Sequence, residues 1–201
     1  MILAVECGVA YIDVEIEWPK MRLKEVTEIK GAAKVVASYH DWTGNAVCTN
    51  EELKQKFAAA NDFGCVSLKT YFESLLVCAD TCTDIIKLSI MSPTIEDYYE
   101  LGLFIRDYKK EHTKPLLVVG MSSNGQLSRI TSPISLINYP LMPFPSASGQ
   151  LSLAQVHQAR YLMGQIPKKE ISVNGDVSTA EKAKRALEAA FAELGYPMYA
   201  V

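Results

Sequence analysis

Asp84-Ile85-Ile86-Lys87-Leu88-Ser89-Ile90-Met91 decides how this chain is read: an apolar run of strand length with a lysine in its middle, closed by the turn residues Ser92-Pro93. Burying a lysine costs several kcal/mol unless it is paired or neutral, so one inside a run that reads as a buried strand needs a reason. One reason is an edge strand from which the long side chain snorkels to water. The other is a desolvated amine able to form a Schiff base with a carbonyl compound. Taken alone, the run favours snorkelling; its neighbours shift the balance.

Upstream, Tyr11 to Trp18 alternates strictly, with Asp13, Glu15 and Glu17 on one face and Ile12, Val14, Ile16 and Trp18 on the other. That is a strand pattern. Pro19 stops it, Met21 to Lys30 reads as a short helix ended by Gly31, and Lys34 to His40 is a second strand closed by Asp41 to Asn45. Helices are expected from Glu51 to about Ala60, capped by Asn50, and from Ser67 to about Cys78. Downstream, Thr94 and Asp97 open a helix running to about Glu111, with Pro115 to Met121 as the next strand.

Beyond that strand, a turn at Ser122 to Gly125 leads to a helical turn holding Arg129, and Ile134 to Tyr139 reads as a fifth strand. Pro140 to Gly149, with prolines at 140, 143 and 145, is a loop. Leu151 to Ile166 is a helix and Lys168-Lys169 a linker. Ile171 to Val173, Ser178 to Leu194 and Pro197 to Val201 then repeat strand, helix, strand.

Strands alternating with helices through short connections give a parallel α/β sheet, either a barrel or an open doubly wound sheet, and in both ligands bind at the carboxyl ends of the strands. Residue parity puts Glu15 on one face of the first strand, Ser38 and His40 on one face of the second, Lys87 and Ser89 of the third, and Val119 and Met121 of the fourth. A polar set turned to a common interior, with apolar outer faces under helices, favours a barrel with its site at the mouth. There His40 supplies a group of near-neutral pKa beside Lys87. Arg129 offers a bidentate clamp for a carboxylate, and Ser146, Ser148 and Gln150 lie in a loop able to fold over a ligand.

Composition excludes other classes. The 201 residues are 49% hydrophobic and 21% charged with a net charge of −3, an ordinary globular balance without a basic footprint for nucleic acid. Five cysteines, the closest pair being Cys78 and Cys82, match no zinc spacing and read as reduced thiols of an intracellular protein, cytoplasmic or nuclear. No apolar run reaches membrane-span length, and Met1 to Val5 is too short for a secretory signal.

The order Tyr39-His40-Asp41, Asp84-Ile85-Ile86-Lys87, Met121 to Arg129 and Ser146-Ala147-Ser148-Gly149-Gln150 resembles type I 3-dehydroquinate dehydratase. Asn124 to Arg129 and Leu162 to Ile166 further resemble the dehydratase part of the fungal pentafunctional shikimate-pathway polypeptide. The resemblance implies a (β/α)8 (TIM) barrel in which a lysine forms an imine with the substrate ketone, a histidine moves protons and water leaves. It implies Lys87 as the imine lysine and His40 as the acid/base. Substrate binding would fall to Arg129 as the carboxylate clamp, Ser146 and Gln150 in the lid, Met121 lining the pocket, and Glu15. No cofactor or metal is implied.

Three departures matter. The first strand resembles the family's fourth, so the first three have no counterpart, and such a remnant cannot close a barrel by itself. Ser148 stands where the family usually has proline. After a dehydratase-like part at 1–167, residues 168–201 resemble the start of a degenerate, Rossmann-like shikimate dehydrogenase domain, with Asn174 to Ala180 lacking the Ser-x-Ser-Pro substrate motif. This combination resembles the fungal quinate-pathway repressor. It implies a non-catalytic sensor of a quinate-pathway metabolite acting through a transcriptional activator, with a homodimer as one way to complete the barrel. The alternative is an active dehydratase.

Overall fold

The computed structural model describes residues 2–41, 43, 49–62, 83–138, 142–195 and 198–200. In chain order the elements are α1 (Ile2–Glu6), β1 (Tyr11–Glu15), α2 (Lys20–Ile29), β2 (Lys34–His40), α3 (Asn50–Asn61), β3 (Ile85–Met91), α4 (Tyr98–Glu111), β4 (Leu116–Met121), α5 (Gln126–Thr131), α6 (Leu153–Leu162), β5 (Lys169–Ile171), α7 (Val177–Leu194) and β6 (Met198–Ala200). They fall into two compact units, Met1–Ser135 and Leu136–Val201. The expected helix from Ser67 to Cys78 lies outside the described residues.

In the first unit, β1 to β4 form a sheet of four strands in sequence order, every pair parallel. One face is apolar throughout: Ile12 and Val14, Val35 and Ala37, Ile86 and Leu88, Leu116 and Val118 are all buried against Val26 of α2, Leu53 and Phe57 of α3, and Leu101 and Phe104 of α4. Burying each of these side chains larger than alanine contributes about 1.5–3 kcal/mol, so the helices are held on that face and the opposite face is left to other residues.

Local chemistry sets the ends. α3 is capped by Thr49, whose hydroxyl accepts from Glu52 N while the Glu52 carboxylate accepts from Thr49 N. The expected cap was Asn50; the reciprocal box requires Glu or Gln three residues on, which Thr49 has in Glu52. Ahead of α4, Thr94 N and Oγ1 donate to Asp97 Oδ2 at 2.7 and 3.1 Å. β1 stops at Glu15, short of the expected Trp18, because Trp18 N turns back to Glu15 O. α6 is shorter than expected at both ends: Ser152 caps it with Gln155, and Gly164, at φ 68°, ends the chain's helical course just beyond it.

The expected fifth strand at 134–139 does not form among the described residues, which make only a single bridge, Asn138 to Ser152. Its would-be partner is already occupied. Along the outer edge of β4, Val118 N donates to Ser132 Oγ at 3.1 Å and Gly120 N to Ser128 Oγ at 2.6 Å. Hydroxyls of α5 and the residue after it thus satisfy donors a further strand would take. This seating needs close backbone approach, since a Cβ on Gly125 would lie 2.3 Å from Gly120 O.

In the second unit β5 and β6 pair in parallel and are joined through α7. Lys169, expected in a linker, begins β5. Asp176 caps α7 by accepting from Thr179 N at 3.0 Å, and Gly195 ends it at φ 61°.

Candidate active site

The face of the sheet opposite the helices is where the strand parities of Asp13, Glu15, Ser38, His40, Lys87 and Ser89 converge. Register aligns Glu15 with Ser38, Ser38 with Lys87, and His40 with Ser89. Two pairs organise it. Lys87 Nζ donates to Asp13 Oδ2 at 2.7 Å, the lysine side chain being 12% and the aspartate 49% exposed. One residue pair further along the strands, His40 Nδ1 is hydrogen-bonded to Glu15 Oε1. A carboxylate on one imidazole nitrogen sets the ring's orientation. Ser38, fully buried, donates its hydroxyl to Asp13 Oδ1.

Lys87 is therefore neither a snorkelling lysine nor an unpaired one. It is mostly covered, and a carboxylate two strands away holds its amine. Glu15, expected among the substrate-binding residues, places its carboxylate on His40. Asp13 and Ser38 belong to the constellation although sequence reasoning gave them no role. Their signal lay in the alternation, which put both on the polar face.

Arg129 sits on α5 and is 2% exposed; burial lowers its guanidinium pKa from the ordinary value. Its backbone carbonyl accepts from Ser135 Oγ. Met121 ends β4, in register with Met91 at the end of β3 and on the parity of Lys87. Ser146 and Gln150 lie in the second unit, where Asn138 organises the loop: its Oδ1 accepts from Ser146 N at 3.0 Å and Oγ at 3.1 Å, and its Nδ2 donates to Gln150 O at 3.3 Å.

Among the described residues no group of three or more His, Cys, Asp or Glu is placed to hold a metal ion, and no helix is long and apolar enough to cross a membrane. A groove of about 690 Å³ between α1 and α2, lined by Ile2, Trp18 and Ile29 among others, contains none of the expected site residues.

The parallel sheet thus presents a lysine and a histidine on one face, each tied to its own carboxylate. The sequence profile described as Type I 3-dehydroquinase matches residues 1–167, and the chain belongs to that family. It is 34% identical over 196 residues to the Pentafunctional AROM polypeptide of Mycosarcoma maydis, covering 97% of this chain and 10% of that one. It is similar in structure to the dehydroquinate dehydratase and shikimate dehydrogenase from S. pombe AroM, with a TM-score of 0.79 and 26% identity, over 100% of this chain and 34% of that one. The fold is shared with the type I 3-dehydroquinate dehydratase of Clostridium difficile, at a TM-score of 0.60 and 20% identity over 81% of this chain and 58% of that one. The chain thus spans a tenth of the polypeptide's length and about a third of the S. pombe chain.

Proposed function

We propose that the polar face of β1 to β4 is part of the inner wall of a dehydroquinase barrel, and that it takes 3-dehydroquinate or a close quinate-pathway relative. The observation supporting this is the double pairing on that face, Lys87 with Asp13 and His40 with Glu15. It sets an amine and a proton-transfer group on adjacent strands. Lys87 Nζ bonds to the ketone carbon, the ketone oxygen leaves as water, and an iminium results. His40 takes the proton from the neighbouring carbon and delivers it to the hydroxyl that departs as a second water, after which hydrolysis of the imine frees Lys87. Arg129 clamps the ligand carboxylate, a pairing strengthened by its burial. Met121 lines the pocket. The β5–α7–β6 unit begins a dehydrogenase-like domain.

A second reading keeps the ligand and drops the turnover: a repressor-like sensor of the quinate pathway, acting through an activator protein and able to pair with its own copy. What favours it is that Asn174 to Ala180 lacks the Ser-x-Ser-Pro substrate motif of a working dehydrogenase. Borohydride reduction in the presence of 3-dehydroquinate, read by mass spectrometry beside an assay for the conjugated product, separates the two. An adduct on Lys87 with turnover supports the dehydratase, an adduct or a ligand-induced rise in melting temperature without turnover supports the sensor, and neither one sinks both.

A further inference from the structure

We propose that Ser38 is a positioning residue for the amine of Lys87, acting through Asp13; the inference rests on the reading of Lys87 as the amine that condenses with a ketone. Ser38 is fully buried in β2, level with Lys87 on β3. Its hydroxyl has one proton to give, and gives it to Asp13 Oδ1. The other oxygen, Oδ2, receives Lys87 Nζ at 2.7 Å. The aspartate side chain is 49% exposed, and the terminal torsion of an aspartate is broad and roughly two-fold. Without a fixed partner its carboxylate would rotate, and the amine it holds would move with it.

A lysine carries four rotatable side-chain bonds, so the place of its nitrogen depends on what that nitrogen is tied to. Here the tie runs from the buried serine through one oxygen of Asp13 to the other. The serine is the rigid end: its backbone lies inside the sheet ladder, and its carbonyl accepts from Ile16 N at 2.8 Å. Bond formation to a ketone depends steeply on where the attacking atom is held, whereas uptake of the ligand depends on its other contacts. Ser38 therefore governs how fast Lys87 reacts, not how much ligand is needed to fill the site.

The test is borohydride trapping of the full chain over a range of 3-dehydroquinate concentrations, with folding checked by circular dichroism. Ser38→Ala is expected to lower the maximal trapping rate about tenfold, the effect of losing one hydrogen bond to a charged group, with the half-saturating concentration unchanged within about twofold. Ser38→Thr, which restores the hydroxyl, is expected to recover most of that rate. Ser38→Cys, similar in size and a weak donor, is expected to fall between and serves if Ser38→Ala does not fold. Wild-type trapping that Ser38→Ala leaves unchanged overturns the inference alone, as does a loss that Ser38→Thr fails to recover. A wild-type chain that forms no adduct on Lys87 overturns the functional reading, and the inference falls with it.

Discussion

Over β1 to β3 the two faces of the sheet are built from alternating residues of the same strands and have opposite properties, whereas β4 carries the buried Leu117 and Val119 on the Lys87 side as well. On one, Val35, Ala37, Ile86 and Leu88 are fully buried under helices; on the other, Ser38, His40 and Lys87 are fixed by the carboxylates of Asp13 and Glu15. The first is held by area removed from water, which is non-directional. The second is held by hydrogen bonds with specified partners, each worth little net stability but fixing position. Stability and chemistry are thus separated by a one-residue step along the chain, and a substitution acts on one or the other according to parity.

The largest expected effect on stability comes from the apolar face. Leu88→Ala removes a fully buried side chain and should destabilise the fold by about 2–5 kcal/mol, read as a lowered urea midpoint. A cost below about 1 kcal/mol would mean that the two faces are not divided in this way. One position away, Lys87→Ala opens an ion pair whose aspartate is half exposed, and should change stability by about 1 kcal/mol or less. It should nevertheless remove all borohydride-dependent adduct. Large destabilisation with the adduct retained elsewhere would break the comparison from the other side.

The smallest effect sharpens the packing of the helix layer. Burial of Tyr108, whose hydroxyl donates to Lys114 O, pushes its pKa from 10.0 up to about 12. Because the folded-state pKa is the higher one, the neutral phenol stabilises the fold fully below about pH 10, and that contribution is lost as the pH rises towards 12. The urea midpoint should decline across that window, and Tyr108→Phe should flatten the decline. An identical decline in the variant would assign it to other groups.

The sequence carried the sheet well because each strand announces itself by local pattern. β2 has the expected bounds, Lys34–His40, and β3 begins one residue later than expected. Alternation also gives the faces on which Glu15, His40 and Lys87 lie within their own strands, since side-chain direction follows from a period of two. What local pattern does not carry is which groups meet across strands. Asp13 and Ser38 are 25 residues apart and Asp13 and Lys87 are 74 apart, and nothing in their neighbours distinguishes a paired aspartate from a solvated one. The misread strand at 134–139 has the same origin. Its apolar residues suit a strand, but whether they form one depends on the edge of β4, which Ser128 and Ser132 occupy.

The most direct test of the account is a mass measurement on the folded wild-type chain after borohydride reduction with 3-dehydroquinate, followed by peptide mapping. The account predicts one reduced adduct, located on Lys87, absent without ligand and absent in Lys87→Ala. A chain that melts cooperatively, carries no adduct on Lys87 and shows no change in melting temperature with the ligand would contradict it.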